Sequence, residues 1–448
     1  MNRFYSSLAL ACLLATSALT GLARAQDTTP QSAPCPAELP TDARCFTGED
    51  GQGAFYWMAL PAGWDNRGVL VMHAHGGPAN TGPAAAARSE EDLKRWAVTV
   101  KAGHAWAGST YRRGGYGVTM AAEDTERLRR IFVRHFGPPR RTLLHGQSYG
   151  GSVAAKAAGL YATVDGQRGP YDGVLLTSGM LGGGNPAYDF RLDLRVVYQY
   201  VCNNHPRPDE PPYPLWLGLP TTARLTRAEL ARRVDDCTGV NTPVASRTAQ
   251  QAANLATLVN VIRIPESSLV GHLNWATWLF QDLVQLRLGG KNPFGNVGVV
   301  YRGSGNDAAL NAGVLRYAAD PQAVAELAQD STPDGRVTMP ILSLHAVQDP
   351  VAFVELESFY RGILERAGTA DLLVQTFSDE SEHSYLADAQ YPALFSALLD
   401  WVDHGRKPTP QQVATRCTSY EAAYASSCRL LPGYAPQPLA SRVPPRAR

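Results

Sequence analysis

From residue 54 onward, apolar runs too brief to be helices alternate with longer amphipathic ones, and this rhythm constrains the fold more than anything else in the chain. Residues 54–60, 68–73, 105–110, 142–145 and 173–177 read as strands. Residues 90–101, 121–136 and 149–161 read as helices, the second stopped by Gly137-Pro138-Pro139. Strands that are apolar nearly throughout, joined by helices, signify a parallel sheet covered on both faces. The rhythm lapses over residues 181–338, where the text is mostly helical with Pro-rich joints such as 206–214. There, Thr226-Arg227-Ala228-Glu229 has the form of a capping box that opens one helix. Two more helices are expected at 248–261 and 266–286, the latter carrying Trp275, Trp278 and Phe280. After Met339-Pro340 the alternation resumes, with strands at 341–345 and 372–377 and helices at 354–367 and 391–404. The expected architecture is α/β, with a core in two parts, 54–180 and 339–428, split by a helical insertion at 181–338.

The ends of the chain have a different character. Arg3, an uncharged stretch at 4–22 and the small-x-small string Ala23-Arg24-Ala25 make residues 1–25 a secretory signal peptide. Export to a periplasmic or extracellular space is the consequence. No later run reaches the ~18 consecutive apolar residues of a membrane span, so none is expected in the mature protein. Of seven cysteines, Cys12 falls in the leader. The other six form sequence neighbours, Cys35 with Cys45, Cys202 with Cys237, and Cys417 with Cys428, and disulfides between neighbours close the shortest loops. Residues 26–53 are expected as an extended arm tied by the first pair, and the Pro- and Arg-rich residues 429–448 as a disordered tail. With 41 basic and 40 acidic side chains and no block of one sign, a dedicated nucleic-acid binder is excluded. At 44% hydrophobic and 18% charged, the chain has matter for a large core, which excludes general disorder.

Chemistry concentrates at Gly146-Gln147-Ser148-Tyr149-Gly150-Gly151. A Gly-x-Ser-x-Gly string alone is weak, but this one leaves an apolar strand and opens a helix of small residues, the setting of a nucleophile elbow. A serine hydroxyl needs a base, and the base needs an orienting carboxylate. Asp349 lies just past the strand 341–345, and His383 just past the strand 372–377, both at carboxyl ends of parallel strands. Ser148, Asp349 and His383 are therefore the candidate triad. Asp379, Glu380 and Glu382, close to His383 in sequence, compete with Asp349 for the acid role. Anion-stabilising donors are expected from the amides of Gly77, in His75-Gly76-Gly77-Pro78, and of Tyr149. Tyr111 and Arg112 follow a strand and are candidates for the pocket rim, Arg112 as a carboxylate binder, although a structural salt bridge is the commoner role for such an arginine. Trp275 and Trp278 are candidates for an aromatic substrate pocket. His73-x-His75 lacks the further ligands of a metal site, and neither metal nor cofactor is expected.

Together, His75-Gly76-Gly77-Pro78, Gly146-Gln147-Ser148-Tyr149-Gly150, Asp349 and His383 resemble the α/β-hydrolase superfamily of serine hydrolases, over residues 54–404. The resemblance implies the α/β-hydrolase fold, with residues 181–338 as a helical cap inserted after the sixth core strand. It also implies hydrolysis of a small or polymeric carboxylic ester through an acyl-enzyme. Three rivals share the scaffold: a prolyl- or tripeptidyl-type exopeptidase, which needs cap acids for an N-terminal amine, an acyltransferase, and a non-catalytic binding module.

Overall fold

A computed structural model describes residues 28–77, 82 and 84–446. The expected leader at 1–25 lies outside the described residues. In chain order the strands are β1 (Gln31–Ala33), β2 (Arg44–Glu49), β3 (Phe55–Leu60), β4 (Val69–Ala74), β5 (Ala105–Ser109), β6 (Arg141–Gln147), β7 (Thr163–Val164), β8 (Gln167–Arg168), β9 (Gly173–Thr177), β10 (Ile341–Ala346) and β11 (Leu373–Ser378). Apart from the small β7–β8 hairpin, they form one sheet in the order β1-β2-β3-β5-β4-β6-β9-β10-β11. The first three pairings are antiparallel, and every pairing from β5 to β11 is parallel. From β2 onward this is the strand order of the α/β-hydrolase fold, the architecture the motifs imply.

Burial explains the sheet. Leu70 and Met72 of β4, with Leu144 and Leu176, pack beneath the helices Val118–Phe136 and Tyr149–Leu160. Val69, Val71, Leu143, Leu175, Leu342 and Leu344 face the opposite layer, against Trp96, Leu394 and Leu398. Alternate residues thus serve two cores, which is why these strands are apolar throughout. Register decides where the site falls. Ala74 pairs with Gly146, Gln147 with Thr177, and Ala346 with Ser378, so the loops that follow β4, β6, β9, β10 and β11 emerge along one edge.

Helices at Gly184–Cys202, Arg227–Thr238, Ala249–Ile262, Leu269–Asn274, Asp307–Gly313 and Pro321–Ser331 occupy the stretch between β9 and β10. This stretch follows β9, the sixth strand counted from β2, where the α/β-hydrolase order begins; the residues expected as an extended arm supply β1 and β2. The disulfides are Cys35–Cys45, Cys202–Cys237 and Cys417–Cys428, with Cα separations of 5.2, 5.7 and 5.8 Å. No helix among the described residues is long and apolar enough to cross a membrane.

Local departures from the sequence reading have tertiary causes. The helix expected from 121 begins at Val118, because the Asp330 carboxylate accepts from the Val118 and Thr119 amides (3.0 and 3.1 Å) and caps them from across the fold. Only half of the Thr226 capping box forms. Thr226 accepts from the Glu229 amide, but the Glu229 carboxylate is drawn to Arg232 and Arg233 instead. The helix expected at 266–286 is continuous but changes winding along its length, from a 3-10 turn through the short α-helix Leu269–Asn274 to two π-helical stretches, Trp275–Leu279 and Asp282–Arg287. The expected disordered tail is packed. Leu430 bridges to Ser378 of β11, and the Arg446 guanidinium pairs with Asp193 where both side chains are buried.

Candidate active site

Ser148 sits between β6 and the helix Tyr149–Leu160 with φ 58° and ψ −121°. A non-glycine residue with positive φ is strained and persists only when its surroundings hold it. Here the Ser148 amide donates to Thr177 O (3.0 Å), and Ser148 O accepts from the Gly151 and Met180 amides (2.9 and 3.0 Å). The flanking glycines are steric requirements. A methyl group on Gly146 would overlap the carbonyl of Gly150, and one on Gly150 would overlap the carbonyls of Ala74 and His75. The string forms this turn because side chains are absent where backbone passes backbone.

Loops after β10 and β11 bring the partners. Ser148 Oγ lies 2.7 Å from His383 Nε2 and donates to it. His383 Nδ1 donates to Asp349, 2.8 Å from Oδ2 and 3.0 Å from Oδ1. Asp349 Oδ1 also accepts from the Val351 and Ala352 amides (2.8 and 2.9 Å), which fix the carboxylate in a fully buried position. The competing acids are engaged elsewhere. Glu380 accepts from the Ala387 amide and Gln390, Glu382 from the Ser381 amide, and Asp379 faces Arg429.

Several supporting residues carry no sequence motif. His345, wholly buried four residues before Asp349, places Nδ1 3.2 Å from Glu357 Oε1, Nε2 2.9 Å from Ala352 O, and Nε2 3.5 Å from Asp349 Oδ2. Burial works against its charged form, but the Glu357 hydrogen bond and the Asp349 and Glu357 charges outweigh it, so its pKa is raised. Glu357 is held in turn by Ser343 Oγ (2.7 Å) and Gln375 Nε2 (2.6 Å). The His383 loop is anchored at Ser384, whose carbonyl accepts from Arg95 Nη2 (2.7 Å) and whose hydroxyl accepts from Gln147. His272 Nε2 donates to Pro350 O (2.9 Å), steadying the acid's loop from the helical stretch. The one available signal for these was position: Gln147 and His345 lie in the same strand-end segments as Ser148 and Asp349.

The loop after β4 completes the arrangement. Gly77, with φ 149°, lines the hollow in front of Ser148. The carbonyl of Gly76 lies 2.5 Å from His75 Nδ1 and accepts from Arg88 Nη2 (3.2 Å), which fixes this turn. Tyr149 is the first helical residue, and its N–H has no intrahelical acceptor. Tyr111, expected at the rim, instead stacks on His75 at 4.0 Å and donates to His75 O (3.2 Å), supporting the loop from below. Arg112, expected as a carboxylate binder, is committed to Asp124 and Glu123 at 2.7 and 2.6 Å and does not line the hollow.

The hollow holds about 380 Å³ and is lined by Gly77, Ser148, His383, Trp275, Trp96 and Tyr385, with Arg88, Glu91, Asp92 and Arg95 at its wall. Trp275 therefore reaches the site. Trp278 does not; its indole lies under the Arg227 guanidinium, 4.9 Å away. A larger hollow of about 530 Å³, bordered by Val300, Tyr301 and Asp307, contains no nucleophile and base in contact. Burial, with Arg88 adding to it, lowers the His75 pKa to about 4. Burial, with Arg95 adding to it, lowers that of His145 to about 3. His73 and His145 lie back to back with their Nδ1 atoms 3.1 Å apart, in the core behind the site. No three His, Cys, Asp or Glu side chains gather as metal ligands among the described residues.

No protein-family model matches the sequence, and no curated protein sequence matches it. Solved structures do resemble the chain. An esterase from Aspergillus oryzae is 13% identical, with 85% of this chain and 86% of that one aligned at a TM-score of 0.43. A rice cell wall degrading esterase from Xanthomonas oryzae is 12% identical over 76% and 83%, at 0.36. A highly thermostable carboxyl esterase from Bacillus coagulans is 13% identical over 75% and 90%, also at 0.36. At such distances the chemistry must be read from this chain's own side chains.

Proposed function

We propose that the chain is an exported serine hydrolase of the α/β-hydrolase superfamily that cleaves carboxylic esters. One observation carries the reading: an unbroken hydrogen-bond path from Ser148 Oγ through His383 to Asp349, starting at a strained elbow beside the Gly77 turn. His383 Nε2 takes the hydroxyl proton as Ser148 Oγ attacks the ester carbonyl. The tetrahedral oxyanion faces the amides of Gly77 and Tyr149, and His383 returns the proton to the departing alcohol. Water, deprotonated by His383, then releases the acid from the acyl-enzyme. Asp349 holds the imidazole with its proton on Nδ1 and offsets the charge that develops. Residues 181–338 act as a cap that contributes Trp275 to the wall of the site. The three disulfides fit an oxidising compartment, which supports export.

The exopeptidase reading has one point in its favour, since Glu91 and Asp92 stand at the pocket wall. Both face Arg88, whose Nε is 3.2 Å from Asp92 and whose Nη1 is 4.0 Å from Glu91, and burial raises the Asp92 pKa to about 7, so the pair offers little free negative charge to an amine. The ester reading is the better one. A fluorophosphonate probe should label Ser148 stoichiometrically. Ser148→Ala should escape labelling and lose at least about 1,000-fold in kcat on 4-nitrophenyl butyrate. An undiminished rate in that variant refutes the assignment, and faster turnover of aminoacyl nitroanilides than of nitrophenyl esters would transfer it to a peptidase.

A further inference from the structure

We propose that Arg191 is the recognition group for a carboxylate on the substrate, so that the preferred substrates are esters bearing a second, anionic carboxyl group. The proposal rests on the ester-hydrolase reading and deepens it.

Arg191 lies on the helix Gly184–Cys202 and is less than 2% exposed. Rings cover its guanidinium, with Cζ 4.5 Å from the centroid of Tyr188, 4.8 Å from Trp275 and 5.1 Å from Phe190. Aromatic faces can share a cation's charge, but they do not satisfy its in-plane N–H groups. Nε and Nη1 of Arg191 have no hydrogen-bond partner, and no carboxylate among the described residues pairs with it. Burial lowers its pKa, with the charge of the Tyr188 hydroxyl and a hydrogen bond to it working in the other direction, and at about 10 the group is still charged at neutral pH. A buried cation with open donors is strongly disfavoured unless something answers it.

One helical turn further on, Arg195 also leaves Nε unpaired, but both of its terminal nitrogens are answered. Its Nη1 reaches Thr277 Oγ1 (3.0 Å), Gly218 O and Ala276 O, and its Nη2 reaches His205 O and the Tyr213 hydroxyl. Arg191 has no comparable set.

Location joins this cation to the candidate active site. The Trp275 indole beside Arg191 also lines the Ser148 hollow. Tyr188 touches Tyr116 at 5.8 Å, and Tyr116 touches Tyr149, the residue after the nucleophile, at 5.5 Å. On the other side, Trp275 packs on His272 at 5.6 Å, and His272 bonds the Pro350 carbonyl next to Asp349. Arg191 does not itself line the hollow; the half-buried Trp275 is the side chain that touches both the guanidinium and the hollow. That side chain opens the π-helical stretch Trp275–Leu279, a departure from α-helix that recurs at functional sites. The two arginines lining the hollow itself are already engaged. Arg88 faces Asp92 and Gly76 O, and Arg95 donates to Ser384 O and Tyr391. Arg191 is left as the group with donors for an incoming carboxylate, and Arg suits such a partner.

The test compares mono-4-nitrophenyl glutarate with its neutral methyl ester, reading nitrophenol release. Wild type should favour the anionic substrate at least about tenfold in kcat/KM, and Arg191→Met should lose about 100-fold on it while staying within about threefold on the neutral one. Arg191→Lys should recover part of the loss. Equal wild-type rates on the two esters, or an equal fall on both in Arg191→Met, overturn the proposal while leaving the esterase intact. No turnover of either ester overturns the hydrolase reading beneath it. Should Arg191→Met not fold, wild type decides alone: glutarate, and not glutaramide, should protect Ser148 from the fluorophosphonate, and equal protection by both, or none, overturns the proposal.

Discussion

Replacing Asp349 with asparagine probes the base more sharply than removing the carboxyl altogether, because the surrounding donors dictate how the amide must sit. Oδ1 of Asp349 accepts from two backbone amides, Val351 at 2.8 Å and Ala352 at 2.9 Å. The asparagine can serve them only with its carbonyl oxygen. Its NH2 group then takes the place of Oδ2, facing His383 Nδ1, which lies 2.8 Å from that atom in the native protein. Two donors cannot share that gap, so His383 must give up the Nδ1 proton and carry it on Nε2, 2.7 Å from Ser148 Oγ. An Nε2–H points at the hydroxyl and cannot take its proton. Turning the amide over restores the tautomer but sets NH2 against both backbone donors, at a cost of about 1–3 kcal/mol for each group left unsatisfied. With either orientation blocked, kcat on 4-nitrophenyl butyrate at pH 7.5 should fall about 10³–10⁴-fold, or about 4–5 kcal/mol of barrier. KM should change little, since Asp349 does not line the hollow. Asp379→Asn, Glu380→Gln and Glu382→Gln should each stay within about twofold, because these acids bond elsewhere. A folded Asp349→Asn enzyme within about tenfold of wild type would refute the tautomer reasoning, as would a larger loss at any of the other three acids.

Gly150→Ala drives a methyl into the Ala74 and His75 carbonyls, and backbone cannot rotate aside. It should cost about 3 kcal/mol in urea unfolding and about 100-fold in kcat, since Gly77 belongs to the same displaced turn; a wild-type midpoint and rate would show that this close approach is not required. Asp92 is held near a pKa of about 7, mainly by burial and against the pull of Arg88. A folded value above the unfolded one means that folding retains a proton between about pH 4 and 7, so the site lowers stability as pH rises through that window. Asp92→Asn should therefore unfold at a higher temperature than wild type at pH 8, with the gap closing by pH 4; a gap independent of pH would sink the linkage. Glu357→Gln removes the charge that answers His345 and should destabilise the fold by about 3 kcal/mol. A shift in unfolding midpoint equivalent to less than about 0.5 kcal/mol would show that His345 is neutral in the folded protein.

How much of this is legible in the sequence depends on how far apart the cooperating residues lie. Ser148, His383 and Asp349 are separated by long stretches of chain, yet each belongs to a local strand-then-loop pattern. The parallel register of β6, β10 and β11 brings those patterns to one edge without further instruction. Features that depend on two particular segments meeting leave no such trace. Asp330 caps a helix more than two hundred positions earlier in the chain, and nothing near Val118 announces a cap. The sequence leaves Arg112 open between a ligand role and a salt bridge, because Asp124 and Glu123 become its neighbours only once the loop and the helix fold together. The Pro- and Arg-rich end reads as disordered by composition, although Leu430 and Arg446 each find a particular partner, Ser378 and Asp193.

The same distinction separates chemistry from specificity. Arg191-Leu192-Asp193-Leu194-Arg195 alternates charge with leucine, and charges at that spacing would ordinarily mark a solvated surface. All five residues are buried, which is incompatible with a helix lying on the outside of its domain. Asp193 is answered by Arg446 and Tyr301, and Arg195 by carbonyls and hydroxyls from three other segments. Each of those answers comes from another part of the chain, so the pattern is unreadable until the partners are in place. Arg191 is the member whose Nε and Nη1 folding leaves without a partner. Of the three charges between 191 and 195, two are answered from within the chain, and under the carboxylate-recognition proposal the third, beside Trp275 at the wall of the Ser148 hollow, finds its counter-charge on the substrate.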